Sequence, residues 1–291
     1  MIEAYAFLAA FAVQILVSSV LLPAWFIRNA RAKAARFPAE RLAQLYPGVD
    51  VTHARERFLA QYRALTSGIA LLGLLLLAWQ FSAVWRSDWD GGKAPLLATG
   101  YFMIALVLPV FLGARFAVRF HKEHKPADGK RTAILQRRGL FDFVSPFVVF
   151  VAVLSYFLYA AFLFYIEQHP FPGFAGPLVN IGSMTLVYAV YAAGVYVVLY
   201  GRKSPLETHA GHVHTIGLAV KGIVYSCIFM VVNLSLNHSL RMLDLKSWEP
   251  MAVSISFAIF AILASMGFAS PPRKPEMDGL DTDKRLLERE S

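Results

Sequence analysis

Charged residues and cysteine are scarce in this sequence. Of its 291 residues, 16% are charged and 57% are hydrophobic, and the mean hydropathy is +0.52. Soluble globular chains carry about 25% charged residues. The one cysteine, Cys227, has no partner within the chain, so an intrachain disulfide is impossible. This composition excludes disordered, collagenous and disulfide-stapled proteins and indicates a membrane protein.

Enzyme motifs are also missing. The sequence contains no HExxH or CxxC metal motif, no nucleophile elbow, no phosphate-cradling glycine loop and no paired catalytic carboxylates. The centres of the long apolar runs carry no charge, which argues against a carboxylate-driven pump, a retinal-type lysine and a haem held by axial histidines. We therefore predict no catalytic residue and no cofactor, and we favour a non-enzymatic role.

Seven apolar runs make up most of the chain. Each is long enough to cross a bilayer core of about 30 Å as a helix. Helices are favoured over barrel strands because the runs are continuous rather than alternating. The predicted fold is an all-α polytopic transmembrane helix bundle. The predicted spans lie near 4–27, 66–85, 96–118, 141–166, 177–200, 217–239 and 250–270.

Lysine and arginine are unevenly distributed between the connections. With the N-terminus outside, 24 of the 28 lie on the inner side of the membrane and four on the outer side. The positive-inside rule therefore predicts an outside N-terminus and a cytoplasmic C-terminus, in a bacterial-type inner membrane. The first run is predicted to be retained rather than cleaved as a signal peptide, because Glu3 precedes it and its positive charges follow it.

Two segments outside the spans have a character of their own. Residues 37–65 place Phe58 and Tyr62 at helical spacing among arginines, which predicts a cytoplasmic amphipathic helix capped by Thr52 and lying at anionic head groups. Residues 271–291 are polar and mixed in charge, which predicts a disordered cytoplasmic tail. The expected partners are membrane lipids and a membrane protein or second copy of the chain; nucleic acid is not expected.

Histidines gather at the predicted cytoplasmic ends of the spans. Imidazoles are ligands for zinc and nickel. The candidate metal ligands are His121, His124, His209, His212 and His214. Their spacing matches no metalloenzyme motif and no thiolate or acidic co-ligand accompanies them, so interfacial polar residues are the simpler interpretation. We predict no essential metal site.

Polar side chains align along the sixth predicted span. At about 100° per residue, Ser226, Asn233 and Asn237 all fall within about 60° of Gly222 on a helical wheel. Two interpretations remain open: hydrogen bonds to neighbouring helices, or a solvated lane past the fourth and fifth spans. The residues of this polar lane are Asp142, Tyr156, Tyr159, Asn180, Tyr188, Tyr191, Lys221, Ser226, Asn233 and Asn237.

Two charged residues lie at the cytoplasmic end of the polar lane. We expect Asp142 in the first helical turn of the fourth span, where the helix dipole favours an anion and Arg138 lies one turn away. Lys221 is expected either to reach the head groups or to pair with Asp142 across the bundle.

Small residues recur along the seventh predicted span. Ser254, Ala258, Ala261 and Ser265 are three or four residues apart, a spacing that favours close approach of a neighbouring helix. We predict packing rather than chemistry on that face.

Three function classes are compatible with these patterns. A non-enzymatic interaction or assembly subunit of the membrane is favoured, because the bundle offers more surface for partners and lipids than for catalysis. The alternative is a transporter or channel for a small solute or lipid that uses the polar lane between the fourth, fifth and sixth spans. An enzyme is the third class, since fold alone does not fix function.

Overall fold

A computed structural model gives the fold of the chain. It describes residues 1–35, 46, 48–123, 139–201 and 209–265, and only the backbone of residues 33, 121–123 and 209–211. The described residues are mostly helical and contain no strand, and seven helical stretches are long and apolar enough to cross a membrane. The prediction of an all-helical fold with seven such stretches is confirmed. The predicted tail at 271–291 lies outside the described residues.

Eight α-helices make up the described part of the chain. In order they are α1 Ile2–Ile15, α2 Leu22–Ala34, α3 Val51–Trp85, α4 Ala94–Glu123, α5 Pro146–Glu167, α6 Pro177–Tyr200, α7 His209–Met242 and α8 Glu249–Ser265. A π-helical turn, Leu16–Leu21, joins α1 to α2, so the two form one long first span. Short 3-10 turns, Leu140–Asp142 and Lys246–Trp248, lie just before α5 and α8.

Local sequence explains where α3 and α5 begin. Asp50 caps α3, because its Oδ1 accepts a hydrogen bond of 2.9 Å from the backbone N–H of His53. The prediction that Thr52 caps this helix is therefore wrong. Ser145 caps α5 with Pro146 at the first helical position, and a proline there needs no hydrogen-bond acceptor. The helix consequently starts several residues later than the predicted span.

The helix α3 is longer than a bilayer needs. Its 35 residues extend over about 52 Å at 1.5 Å per residue. Residues 51–65 of the predicted amphipathic segment 37–65 form the first turns of this helix, which continues directly into the apolar stretch. Its aromatic rings pack on neighbouring helices. The ring centroids of Tyr62 and Phe26 of α2 are 4.8 Å apart, and those of Phe58 and Phe116 of α4 are 4.5 Å apart.

The helix α8 lies at the centre of the bundle and packs against α1, α4 and α7. The predicted packing face is confirmed for Ser254, Ala258 and Ala261, which are all buried. Gly222 of α7 approaches α8 so closely that a Cβ atom there would lie 3.1 Å from the Leu263 carbonyl oxygen. The remaining helices, α5 and α6, pack on each other and on the opposite side of α7.

The bundle has two distinct ends. At one end, which we call the loop end, the short connections between α3 and α4, α5 and α6, and α7 and α8 come together around Gly92, Gly173 and Lys246. At the other, which we call the basic end, the last turns of α2 and α4 meet the first turns of α3. The arginines near the basic end are Arg28, Arg31, Arg55, Arg57, Arg63, Arg115 and Arg119.

Candidate functional site

A cavity of about 780 Å³ lies at the loop end between α4, α7 and α8. The connection between α5 and α6 and the first turn of α6 complete its wall. Its apolar lining includes Phe102, Met103, Leu106, Phe229, Phe257 and Phe260. Its polar lining includes Asn180, Asn233, Asn237, His238, Arg241 and Glu249. The cavity is therefore amphipathic, with aromatic walls and a set of hydrogen-bonding groups.

An ion pair whose glutamate is buried and whose arginine is 32% exposed closes the polar side of the cavity. Arg241, in the last turn of α7, donates from Nε to Glu249 Oε2 at 2.9 Å and from Nη2 to Glu249 Oε1 at 2.5 Å. Glu249, in the first turn of α8, is only 5% exposed. Each charge also lies at the helix end where the dipole favours it. The pair thus joins α7 to α8 across the intervening 3-10 turn.

His238 is held by a cage of aromatic rings. Tyr159, Phe171 and Phe174 each present a ring edge-on to it, with centroids 5.8 to 6.1 Å away. Its Nδ1 lies 2.9 Å from the Leu234 carbonyl oxygen. Because a carbonyl oxygen only accepts hydrogen bonds, Nδ1 carries a proton, and in the neutral ring Nε2 is then an acceptor.

The two asparagines on α7 interact with each other. Asn237 donates from Nδ2 to the Asn233 carbonyl oxygen at 2.8 Å and to Asn233 Oδ1 at 3.0 Å. The other amide atom, Asn237 Oδ1, is buried and has no hydrogen-bond partner among the described residues. An unsatisfied buried acceptor costs about 1–3 kcal/mol.

The structure divides the predicted polar lane into two parts. Asn180, Asn233 and Asn237 line the cavity, and Ser226 is buried further along α7. The face of α7 that carries Ser226, Asn233 and Asn237 packs on α8 through Gly222, rather than on the fourth and fifth spans as the lane hypothesis supposed. A helical wheel shows which residues share a face but not which helix covers it.

The tyrosines of the predicted lane lie mainly between α5 and α6. Tyr188 donates to the Ala152 carbonyl oxygen at 2.9 Å, and the hydroxyls of Tyr156 and Thr185 are 2.6 Å apart. Tyr191 is half-buried on α6. Tyr159 is the member that reaches the cavity region, through its contact with the His238 ring.

The charged residues of the predicted lane do not join it. Asp142 is exposed in a 3-10 turn before α5, and its Oδ2 accepts a hydrogen bond from the Gly139 N–H at 2.7 Å. The expectation that it occupies the first turn of the helix is wrong, because the helix begins at Pro146. Lys221 is also exposed, and no ion pair joins it to Asp142 within the described residues. Arg138 lies outside them.

The structure describes the side chains of two of the five candidate metal ligands. His212 is buried and His214 half-buried near the basic end of α7. The side chains of His121 and His209 are not described, and His124 lies outside the described residues. Within the part of the chain that is described, no three metal-binding side chains come together.

A second polar cluster lies inside the first span. Gln14 donates from Nε2 to the Ala98 carbonyl oxygen at 3.0 Å, and the hydroxyls of Ser19 and Tyr101 are 2.5 Å apart. Ser18 bonds back to the Gln14 carbonyl at 2.7 Å, at the start of the π-helical turn, where such side-chain bonds disturb the regular ladder. The polar residues in the otherwise apolar first run were the signal for this cluster.

Sequence reasoning missed three residues of the cavity: His238, Arg241 and Glu249. They lie at the ends of predicted spans, where polar residues are common. Only the folded structure shows that these three residues lie close together. No protein-family model, curated protein or solved structure matches this chain. The chemistry of the site is therefore argued from its own residues.

Proposed function

We propose that this chain is an integral membrane protein that binds a small amphipathic molecule in the cavity between α4, α7 and α8. The observation that carries the proposal is one cavity in which phenylalanine walls adjoin the hydrogen-bonding residues Asn233, Asn237 and His238. A purely polar solute gains nothing from the phenylalanines. A pure hydrocarbon gains nothing from the asparagine and histidine side chains. An amphipathic molecule suits both.

Crosslinking with a photoactivatable acyl chain tests this binding. The protein is placed in phosphatidylcholine nanodiscs with a diazirine-bearing methyl oleate, and the labelled peptides are identified by mass spectrometry. We expect labelling of the cavity-lining turns of α4, α7 and α8. Leu106→Trp fills the cavity and should abolish that labelling, whereas Leu108→Trp, on the outer surface of the same helix, should leave it unchanged. Equal labelling in both variants contradicts the proposal.

The geometry favours binding over passage through the membrane. Beyond the cavity, α7 and α8 are in close contact at Gly222 and Leu263. Transport, which the sequence suggested as an alternative, requires these two helices to separate. Binding in the cavity does not.

The proposal includes an orientation, with the loop end outside the inner membrane, the N-terminus outside and the C-terminus cytoplasmic. The arginines near the basic end support it, since basic residues accumulate on the cytoplasmic side and at anionic head groups. On a Cys227→Ala background, an impermeant thiol reagent should label Asp90→Cys and Asp244→Cys in intact cells. Asp128→Cys should stay unlabelled until the cells are opened. Labelling of Asp128→Cys in intact cells overturns the orientation.

A role as an interaction subunit is the second candidate, and one observation favours it. The hydroxyl pair of Tyr156 and Thr185 lies midway along α5 and α6 on an exposed surface. In the most apolar stretch of α6 only 6% of residues are buried, the smallest share of the seven. Polar groups facing hydrocarbon favour coverage by another helix.

Disulfide crosslinking tests the interaction surface. Thr185→Cys should form a crosslinked dimer, or a crosslink to a second membrane protein with a cysteine, under mild oxidation in membranes. Val190→Cys lies on α6 but about 140° away around the helix, and it serves as the control. Equal crosslinking of the two variants indicates random collision and contradicts a specific interface.

A further inference from the structure

The charged side chains that line the cavity do not balance. Arg241, Lys246 and Glu249 are the charged residues of the described lining. Arg241 and Glu249 neutralise each other through two hydrogen bonds. Lys246 is exposed, and no ion pair involves it within the described residues. With His238 in its neutral form, the lining carries one net positive charge.

The acidic residues around the loop end do not supply the missing counter-charge. Four of them lie in or beside the connections at this end, and none lines the cavity: Asp88, Asp90, Glu167 and Asp244. Asp90 already pairs with Lys93 at 3.1 Å. Asp244 is exposed and forms no ion pair with Lys246 in the part of the chain that is described. The positive charge of Lys246 is therefore available to a bound anion.

The free charge and the phenylalanines are separated along α8. Lys246 begins the 3-10 turn that precedes this helix at the loop end. Phe257 and Phe260 lie 8 and 11 residues after Glu249, or about 12 and 16 Å further along the axis at 1.5 Å per residue. The ring of Phe257 stacks on that of Phe102 of α4, with centroids 4.3 Å apart. A molecule that uses both regions has a negative group at one end and an apolar chain that extends inward.

The position of Lys246 also keeps the cost of pairing low. Because Lys246 is exposed at the end of the spans, neither its ammonium nor a bound anion has to enter the hydrocarbon core. A cation would be repelled by Arg241 and Lys246 together. A neutral head group would gain no attraction from either.

Given the proposed binding function, on which this inference rests, we infer that the bound amphiphile carries a single negative charge at its polar end, of the fatty-acid type. Its carboxylate pairs with Lys246 on the polar side of the cavity, which Asn237 and His238 also line. Its chain lies along Phe102 and Phe257. The cavity volume of about 780 Å³ falls within the roughly 300–1,000 Å³ of small-molecule sites.

Competition between ligands with the same chain tests the head-group charge. The protein in phosphatidylcholine nanodiscs is labelled with the diazirine-bearing methyl oleate, in the presence of oleate, methyl oleate or oleyltrimethylammonium at equal mole fraction in the bilayer. The buffer is held at about pH 9, because a carboxyl group at a membrane ionises at higher pH than in water. One partly hydrated ion pair predicts that oleate competes about 5-fold better than methyl oleate, and the cation worse. Equal competition by the three ligands, or a preference for the cation, overturns the inference.

Acetate distinguishes a bound amphiphile from a free anion. It carries the same head group without the chain. At the same total concentration as oleate, it should leave the labelling unchanged. Displacement of the probe by acetate means that an anion alone occupies the site, and it overturns the inference.

Two lysines separate the cavity from the general surface charge. Lys246→Met should abolish the preference for oleate, while methyl oleate competes as before. Lys93→Met is the matched control, because Lys93 is also exposed at the loop end but does not line the cavity. It should preserve the 5-fold preference. Loss of the preference in both variants, or a full preference in Lys246→Met, overturns the assignment of Lys246.

The outcomes separate the inference from the proposed function. If the probe labels the cavity but all three ligands compete equally, binding stands and the head-group charge is wrong. If the probe does not label the cavity at all, the binding function itself is wrong. Should a variant fail to fold, the ligand preference of the unaltered protein still decides.

Discussion

The two ends of the bundle each carry an arginine–glutamate pair, and the two pairs differ in burial. At the loop end, the Glu249 side chain is 7% exposed and both its oxygens bind Arg241. At the basic end, the Glu56 side chain is 40% exposed and bonds Arg31 through one oxygen at 2.9 Å. The same residue types therefore have different structural roles. The first pair links α7 to α8, whereas the second lies on an exposed surface.

The surroundings of the two pairs differ in the same way. At the loop end a cavity, a caged histidine and buried amides surround Arg241. At the basic end, stacked rings of Phe58, Phe116 and Phe120 pack the helices, and the described arginines other than Arg55 are exposed. Side chains with defined hydrogen-bond geometry suit the binding site that we propose. An exposed arginine-rich end suits a charged membrane surface.

Removing the buried charge should have the largest effect. Glu249→Gln keeps the shape of the side chain but leaves Arg241 without a counter-charge, so the free energy of unfolding should fall by about 3 kcal/mol. Chemical unfolding in detergent measures the change. The double variant Glu249→Leu with Arg241→Met removes both charges and should recover most of the loss. A loss below about 0.5 kcal/mol, the level of an exposed pair, means that this pair does not join α7 to α8.

Two glycines on α3 sharpen the contrast between packed and open surfaces. A Cβ atom at Gly73 would lie 2.8 Å from the Tyr101 ring and 2.9 Å from Ile15 Cγ1. Gly73→Ala should therefore destabilise the protein by about 2 kcal/mol through overpacking. Gly68 has nothing within 4 Å, and Gly68→Ala should stabilise α3 by up to about 1 kcal/mol. If both substitutions change the free energy of unfolding in the same direction, the packing of α1 and α4 on α3 is contradicted.

The cap of α3 gives a smaller effect at the basic end. Asp50→Ala removes the acceptor of the His53 N–H and should cost about 1 kcal/mol. Hydrogen exchange of the amides in the first turn of α3 reports this loss locally. Thr52→Ala is the matched control and should leave exchange nearly unchanged. If Thr52→Ala increases hydrogen exchange more than Asp50→Ala does, Asp50 is not the residue that caps α3.

The exposed ion pair should matter least. Glu56→Gln should leave the thermal unfolding temperature unchanged within error, because solvent and salt screen the pair with Arg31. Thermal unfolding at low and high salt checks this. A clear loss that disappears at high salt shows that the pair stabilises the basic end after all.

The sequence predicts the helices well because bilayer length and apolar runs constrain them strongly. It also predicts that Ser226, Asn233 and Asn237 share a face, since that follows from helical geometry alone. It does not identify the helix that covers this face. Gly222 decides that by its approach to Leu263 of α8, a contact between residues 41 positions apart.

The candidate site was less accessible to sequence reasoning. Arg241 and Glu249 lie at the ends of spans, and sequence patterns fix such boundaries only to within a few residues. In the sequence these two residues therefore look like ordinary charged residues of a loop. His238 is an isolated histidine in an apolar run, and nothing along the chain indicates that Tyr159 and Phe171 enclose it. Their meeting depends on how α5, α7 and α8 pack.

An experimental density map of the protein in a lipid nanodisc tests the binding cavity most directly. We predict elongated density between α4, α7 and α8, with its polar end beside the Asn237 and His238 residues and its apolar part along Phe102 and Phe257. A map in which α4 closes onto α7 and no cavity remains would contradict the account.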